Sequence, residues 1–420
     1  MKITVSSPDG LGDFILRLPL LLALREAGHE LQIVLRPPAY DLALMALPGC
    51  EVLKIASDPY ANAVRARSFP FRLEHRAIAK FQPELFLVAA FNISFFDQVW
   101  VERHHGRIKL AGFTCLQGSR SCSTTCDPER VAAEFTLSVP VDPFLPDAQK
   151  NHVLLESLLR QSAVLQPPKL KAQEADLAAA RVLLKHHGLT EGKFWIACIG
   201  NRPGITGKHW GESNWRAFFH EVCADKEVAF LGNTKECESI NRIIENSSSL
   251  YRFVNMASNP PLLPVSLALA ELSAGYVGRD SGIMHMAAAL DKPLLALFSG
   301  AHGKRFWPSA SCGVVVVQDW PCRECEFCCA HDGDHCVKAI PQETMRQSWD
   351  DLQAGSVRGL RIVEVAMPEG RALELAREAS QKYARLVCEF AQWQAADRRT
   401  ANWIDAAARR LRVMMRRKFL

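Results

Sequence analysis

The chain reads as an α/β protein of two domains, each built around a largely parallel sheet. Three observations carry that reading. At 420 residues it has room for two full cores. Short apolar strand-like runs alternate with helix-compatible stretches in both halves. Clusters of glycine and small polar residues stand directly after several of those runs.

The first half opens with an apolar strand, Lys2–Ser6, and the turn Pro8-Asp9-Gly10-Leu11-Gly12-Asp13. A helical pattern follows to about Ala27, where Gly28 stops it. Strands are expected at Leu31–Leu35, Val52–Ile55, Leu85–Ala90 and Lys109–Phe113. Helices are expected at Asp41–Leu47, with Asp41 as N-cap, and at Glu74–Phe81. The pattern lapses at Leu165–Lys171, Leu-Gln-Pro-Pro-Lys-Leu-Lys, which reads as the linker.

A helix at Glu174–His186 starts the second half. Its strands are expected at Phe194–Ile199, Val228–Leu231, Arg252–Val254, Gly275–Val277, Leu294–Phe298 and Val314–Val317. Its helices are expected at Trp215–Cys223, Glu236–Glu245, Pro264–Leu272 and Gly282–Leu290. From Gln342 the chain reads as helices to the end. The domains are therefore set at 1–165, 174–345 and a helical extension at 346–420, whose last turns alternate Arg409, Arg410, Arg412, Arg416, Arg417 and Lys418 with apolar residues. Such a tail fits either a solvated helix docked on the body or attachment to an anionic membrane face.

Composition narrows the class. The hydrophobic and charged fractions, 48% and 23%, are ordinary for a globular protein. A net charge of +5 permits anionic ligands without calling for nucleic acid. No run reaches the length of a membrane span, and Phe14–Leu24 is interrupted by Arg17 and Pro19. The start of the chain lacks the layout of a secretory signal, so a cytoplasmic location is expected, with the tail allowing peripheral contact at an inner membrane.

Ligands of open parallel sheets bind beyond the carboxyl ends of the strands, so the chemistry is sought there. After the first strand, Gly10-Leu11-Gly12-Asp13 lacks the third glycine of a dinucleotide fingerprint, since Ile15 stands in its place; this disfavours a nicotinamide oxidoreductase. Asp13 opens a helix, which fits either capping or a general base taking a hydroxyl proton. The helix N-terminus is expected to keep it ionised and hence modest in strength. Gly200 to Trp210 offers three glycines and the mobile charge of Lys208, a combination suited to a diphosphate. Arg279-Asp280-Ser281-Gly282-Ile283-Met284-His285 delivers a carboxylate and a hydroxyl at a strand end and starts a helix at once, whose first N–H groups suit an anion. Asp280 cannot favour phosphate and suits sugar hydroxyls. His285, one turn on, fits a core histidine or a ligand contact.

Fourteen cysteines are unusual for a reducing compartment. Cys322, Cys325, Cys328, Cys329 and Cys336 fall within fifteen residues. They fit free thiols in a loop, a structural metal site, or redox activity, and no metal set is assigned.

Taken in order, these clusters resemble glycosyltransferase family 9, the family of the lipopolysaccharide heptosyltransferases. The matching residues are Gly12-Asp13 with Leu18-Pro19, Lys208-His209-Trp210, Asp280-Ser281-Gly282-Ile283-Met284-His285, and Pro321-Cys322-Arg323-Glu324-Cys325 with Cys336. The resemblance spans roughly residues 1–345. It implies the GT-B fold, two Rossmann-like domains facing a central cleft, and metal-independent inverting transfer from an ADP-sugar, with no cofactor required. It implies Asp13 as base and Ser7 and Gly12 near the donor phosphates. It further implies Lys208, Ser281 and Gly282 on the diphosphate, Asp280 on the sugar, His285 on the phosphate side and Glu236 at the ribose. The implied partners are a nucleotide-sugar, heptose being the expected sugar, and a cell-envelope glycan or lipid-linked acceptor. A nucleotide-sugar epimerase of the same fold, a non-catalytic nucleotide-sugar-binding protein and a metal-dependent redox protein are the competing readings.

Overall fold

The computed structural model describes residues 1–56, 58–59, 69–115, 128–200, 208–245, 252–300, 304–320, 335–367, 370 and 374. The first half carries strands β1 (Lys2–Ser7), β2 (Glu30–Leu35), β3 (Glu51–Lys54), β4 (Leu85–Val88), β5 (Lys109–Cys115) and β6 (Leu137–Val141). Its helices are α1 (Leu11–Glu26), α2 (Pro37–Ala46), α3 (Phe69–Phe81), α4 (Phe95–His104), α5 (Pro128–Ala133) and α6 (Asp147–Leu159). The second half carries β7 (Phe194–Cys198), β8 (Glu227–Phe230), β9 (Arg252–Asn255), β10 (Gly275–Arg279), β11 (Leu294–Phe298), β12 (Cys312–Asp319) and β13 (Gly359–Ala366). Its helices are α7 (Glu174–His187), α8 (Glu212–Ala217), α9 (Cys237–Ile244), α10 (Leu263–Leu272), α11 (Gly282–Ala289), α12 (His335–Lys338) and α13 (Gln342–Gln353).

Every pairing is parallel. The sheet orders are β3-β2-β1-β4-β5-β6 and β13-β12-β11-β10-β7-β8-β9. Counted from its own first strand, the second sheet repeats the order of the first and adds one strand. Each order reverses direction beside its first strand, between β1 and β4 and between β7 and β10. These are the switch points where crossovers diverge to opposite faces and leave a crevice. Two Rossmann-like sheets make this the GT-B architecture.

One apolar cluster runs through both halves, from Ile3, Phe14 and Leu42 to Leu267, Met284 and Phe298. The first turn of α1 meets the first turn of α11, so the two switch points share one crevice. Separate clusters cover the outer faces, around Trp100 on the first sheet and around Trp210, Trp215 and Trp349 on the second. Between α6 and α7 the chain runs without regular structure and is tied to the second half: Leu170 N–H donates to Ala289 O at 3.0 Å and Ala172 N–H to Glu271 at 2.6 Å.

Three expectations are corrected. Residues 359–366 form a strand, where the pattern predicts helix. Gly359-Leu-Arg-Ile-Val-Glu-Val-Ala sends Leu360 and Ile362 to one side and Val363 and Val365 to the other, and pairs with all of β12. As the half-exposed edge of the sheet it carries charges among its apolar residues, which blurs the two-residue period. Second, α2 begins at Pro37 with Arg36 as N-cap, not at Asp41: proline at the first helical position needs no hydrogen-bond acceptor and arrives with helical φ. Third, the helix expected at 215–223 is α8 followed by a π turn at Phe218–Val222. Between Phe113 and Leu165 hydropathy marks no element, yet β6, α5 and α6 stand there. The basic tail, residues 201–207, and Cys322, Cys325, Cys328 and Cys329 lie outside the described residues. No helix among those described is long and apolar enough to cross a membrane.

Candidate functional site

The crevice lies beyond the carboxyl ends of β1, β4, β7 and β10, and glycine sets its width. A Cβ on Gly12 would lie 2.6 Å from the ring of His285, and one on Gly282 would lie 2.8 Å from the side chain of Leu11. The two helix starts therefore press together at positions where only hydrogen fits. Gly12→Ala is expected to cost about 1–3 kcal/mol of stability, because the buried ring of His285 would have to shift to admit the methyl group. Urea unfolding with a matched activity assay checks this; unchanged stability would mean the helices can slide apart freely.

Asp13 sits at this junction as the third residue of α1, its Oδ2 reaching back to accept from the N–H of the N-cap Gly10 at 3.0 Å. Burial raises its pKa to about 7, helped by the charges of Asp9 and Asp147 and opposed by Arg17 and Arg305. The helix N-terminus was expected to hold this carboxyl in its ordinary acidic range. Desolvation and two neighbouring carboxylates win instead, which makes Asp13 a far better proton acceptor than an exposed aspartate. The wall behind it is polar. Arg17, buried among the apolar residues Phe14 to Leu24 of α1, donates to the hydroxyl of Ser7 and pairs with Asp9 at 2.9 Å. Ser7 is thus buried and engaged by Arg17 on the wall behind the cleft. Beside it, fully buried Asp97 accepts from Ser6 Oγ at 2.5 Å, Ser94 Oγ at 2.6 Å and Ser94 N–H at 3.0 Å, tying α4 to the end of β1. Burial pushes the Asp97 carboxyl up, while the serine hydrogen bonds favour its charged form.

Across the crevice, Lys208 forms an ion pair with Asp280, and both side chains are largely buried. Ser281 caps α11, its hydroxyl accepting from Met284 N–H at 3.2 Å and lying 3.1 Å from Tyr276 Oη. His285 is buried and its pKa falls to about 4, chiefly through burial with Lys208 adding to it, so near neutrality it is an uncharged imidazole. It can exchange one hydrogen bond with a ligand but adds no positive charge.

Behind these lies a cavity of about 270 Å³, lined by Cys198, Gly200, Gly232, Glu236, Arg279 and Ile283 among others. Glu236 stands in it, accepting from Asn233 N–H at 2.9 Å and Asn233 Nδ2 at 2.8 Å and pairing with Arg279 at 3.1 Å. A Cβ on Gly200 would fall 2.5 Å from the Glu236 carboxyl, so that glycine is what lets the carboxylate approach the strand end. Cys336, in α12, is half-buried; the described residues hold no group of three or more metal-ligating side chains.

The structure thus brings Gly12, Asp13, Lys208, Asp280, Ser281, Gly282 and His285 to one crevice and places Glu236 in the adjoining cavity. The sequence reading misses Arg17, Asp9, Asp97, Asp147 and Arg305. Arg17 had a visible signal, an arginine inside the apolar run Phe14–Leu24, and Ser94-x-x-Asp97 has the spacing of a capping box.

Residues 130–329 match the model of glycosyltransferase family 9 (heptosyltransferase). A stretch of 126 residues is 31% identical to lipopolysaccharide heptosyltransferase 2 of Salmonella typhimurium, covering 29% of this chain and 36% of that one. The chain spans about a third of the length of the curated relatives it matches. The solved family 9 glycosyl transferase of Veillonella parvula superposes with a TM-score of 0.66 at 15% identity, over 84% of this chain and 97% of that one. E. coli heptosyltransferase WaaC with ADP superposes with a TM-score of 0.57 at 15% identity, over 84% of this chain and all of that one.

Proposed function

We propose that this protein transfers a sugar, heptose from ADP-heptose, to a glycan or lipid-linked acceptor of the cell envelope, with inversion and without a metal ion, a reading supported by the match of residues 130–329 to the model of glycosyltransferase family 9. The observation that carries this is the junction of α1 and α11: a carboxyl with pKa about 7 on one side of the crevice, and a lysine with a capped helix start on the other. A nucleotide would fill the cavity beside Glu236, whose carboxylate suits ribose hydroxyls. Its diphosphate would lie against the start of α11. E. coli WaaC, of similar fold, has been solved with ADP, which supports an adenine nucleotide here.

Breaking the bond between sugar and diphosphate leaves negative charge on the nucleotide. Lys208 and the Gly282 and Ile283 N–H groups face that charge as it grows, so they favour the transition state over the bound donor. Asp13 takes the acceptor proton as the hydroxyl attacks from the opposite face of the sugar. With positive potential supplied by the chain, no step calls for a divalent cation.

Incubation with ADP-, UDP- and GDP-sugars should give thermal stabilisation by an ADP-sugar, rising with ligand concentration, and release of ADP once an acceptor glycolipid is present. Stabilisation without transfer to any acceptor would favour the non-catalytic reading. The pH dependence gives a second test. Asp13 acts only when deprotonated, so kcat/KM should fall on the acid side of about pH 7, tenfold per unit well below it. A profile flat down to pH 5 would exclude Asp13 as the base.

A further inference from the structure

The two halves are joined beside the crevice by a buried ion cluster that the transfer scheme does not use. Asp147 opens α6 in the first half; Arg305 follows β11 in the second. Asp147 Oδ1 accepts from Lys150 Nζ at 2.7 Å and from Arg305 Nε at 3.3 Å, and Asp147 N–H donates to Arg305 O at 2.9 Å. Lys150 also donates to Pro143 O at 2.8 Å. Both cations lie over the ring of Phe91, Lys150 at 4.1 Å and the Arg305 guanidinium at 4.9 Å, and Phe91 follows β4 at the first switch point. All three charged side chains are buried, so the cluster is intact only when the halves are in register. Breaking such a pair leaves a desolvated charge, which makes it a stiff connection.

The geometry points to Asp147 and Arg305 as positioning residues that latch the two halves together and hold one negative and one positive charge beside the proposed base, since α6 packs along α1 with Asn151 Nδ2 donating to Leu16 O at 3.1 Å. This rests on the reading of Asp13 as base. The charged groups acting on Asp13 are Asp9 and Arg17 from its own half, Asp147 from α6 and Arg305 from the loop after β11, while the neutral ring of His285 from α11 lies against the neighbouring Gly12. The charge of Asp147 makes Asp13 harder to ionise and that of Arg305 makes it easier. Asp147 itself is pushed up by burial, but Arg305 and Lys150 outweigh this and hold it ionised. The closed latch therefore sets two charges near Asp13 that act on it in opposite directions.

The experiment is the pH profile of kcat/KM for Asp147→Asn and Arg305→Gln in the full chain, alongside solution scattering with ADP. Asp147→Asn should move the acid limb to lower pH and Arg305→Gln to higher pH, each by roughly half a unit or more. Both should lower the unfolding temperature. A purely structural role would weaken both proteins without moving the limbs apart, so limbs that stay put, or shift together, overturn the inference. The charge-conserving Arg305→Lys should keep the wild-type limb. If a single variant does not fold, Asp147→Asn with Arg305→Gln removes both charges; it should restore a near wild-type limb while the ADP-bound particle is more open. A wild-type radius of gyration in that double variant overturns the latch. A wild-type profile with no limb near neutrality would instead remove the base assignment, and scattering would still report on the latch.

Discussion

Asp13→Asn should lower kcat by about 10²–10⁴-fold while leaving stabilisation by an ADP-sugar near the wild-type value. The separation follows from placement. Asp13 lies on α1, across the crevice from Lys208, Asp280 and the start of α11, so removing its basicity leaves the donor side intact. Asparagine keeps the shape and can still accept the Gly10 N–H, so the turn survives. It also relieves the burial that raises the carboxyl to about 7, so the variant should unfold no more easily than wild type at pH 8, where the native carboxylate is charged and desolvated. Transfer is measured by ADP release and donor binding by thermal shift. Loss of both together would point to a structural aspartate, the capping reading of the same residue.

The site was legible in the sequence wherever its determinants are local. Asp280-Ser281-Gly282 is a strand end, a cap and a helix start in three consecutive residues, and α11 with its capping serine forms there. At Gly12, which the resemblance puts near the donor phosphates, the group in close approach is the ring of His285, a contact that no local pattern marks. What short windows cannot reveal is which distant residues share a desolvated space. The expectation that a helix start keeps Asp13 acidic was sound local physics. It failed because the crevice walls that bury the carboxyl arrive from far along the chain, with like charge added by Asp9 nearby and by the distant Asp147. Arg305 and Asp147 are 158 positions apart and neither has a motif. The same limit explains the fold. The central strands β7, β10 and β11 announce themselves as apolar runs, whereas β13 carries an edge strand's mixture and is identifiable only by its eight-residue register with β12.

Lys208→Ala should reduce kcat/KM by about 10²–10³-fold, with weaker donor binding as well as slower turnover. In the structure Lys208 is held by Asp280 beside the start of α11, so the two charges largely cancel before a donor arrives. A diphosphate at that helix start would compete with the carboxylate for the ammonium group and draw Lys208 onto its own oxygens. Removing the lysine thus has two consequences: the diphosphate loses a cation, and the Asp280 carboxylate faces it without that counter-charge. The second is the larger reason to expect a binding defect, since a buried like charge repels an anion strongly in a desolvated crevice. It makes a further forecast. Lys208→Ala with Asp280→Asn should bind ADP more tightly than Lys208→Ala alone, even though it has lost one more polar charge, while its turnover of an ADP-sugar stays low because Asp280 no longer serves the sugar. Calorimetric titration with ADP, which carries the diphosphate without the sugar, isolates the electrostatic part. If the double variant bound ADP no better than the single one, Asp280 would not be facing the diphosphate, and the pyrophosphate would have to lie elsewhere along the crevice.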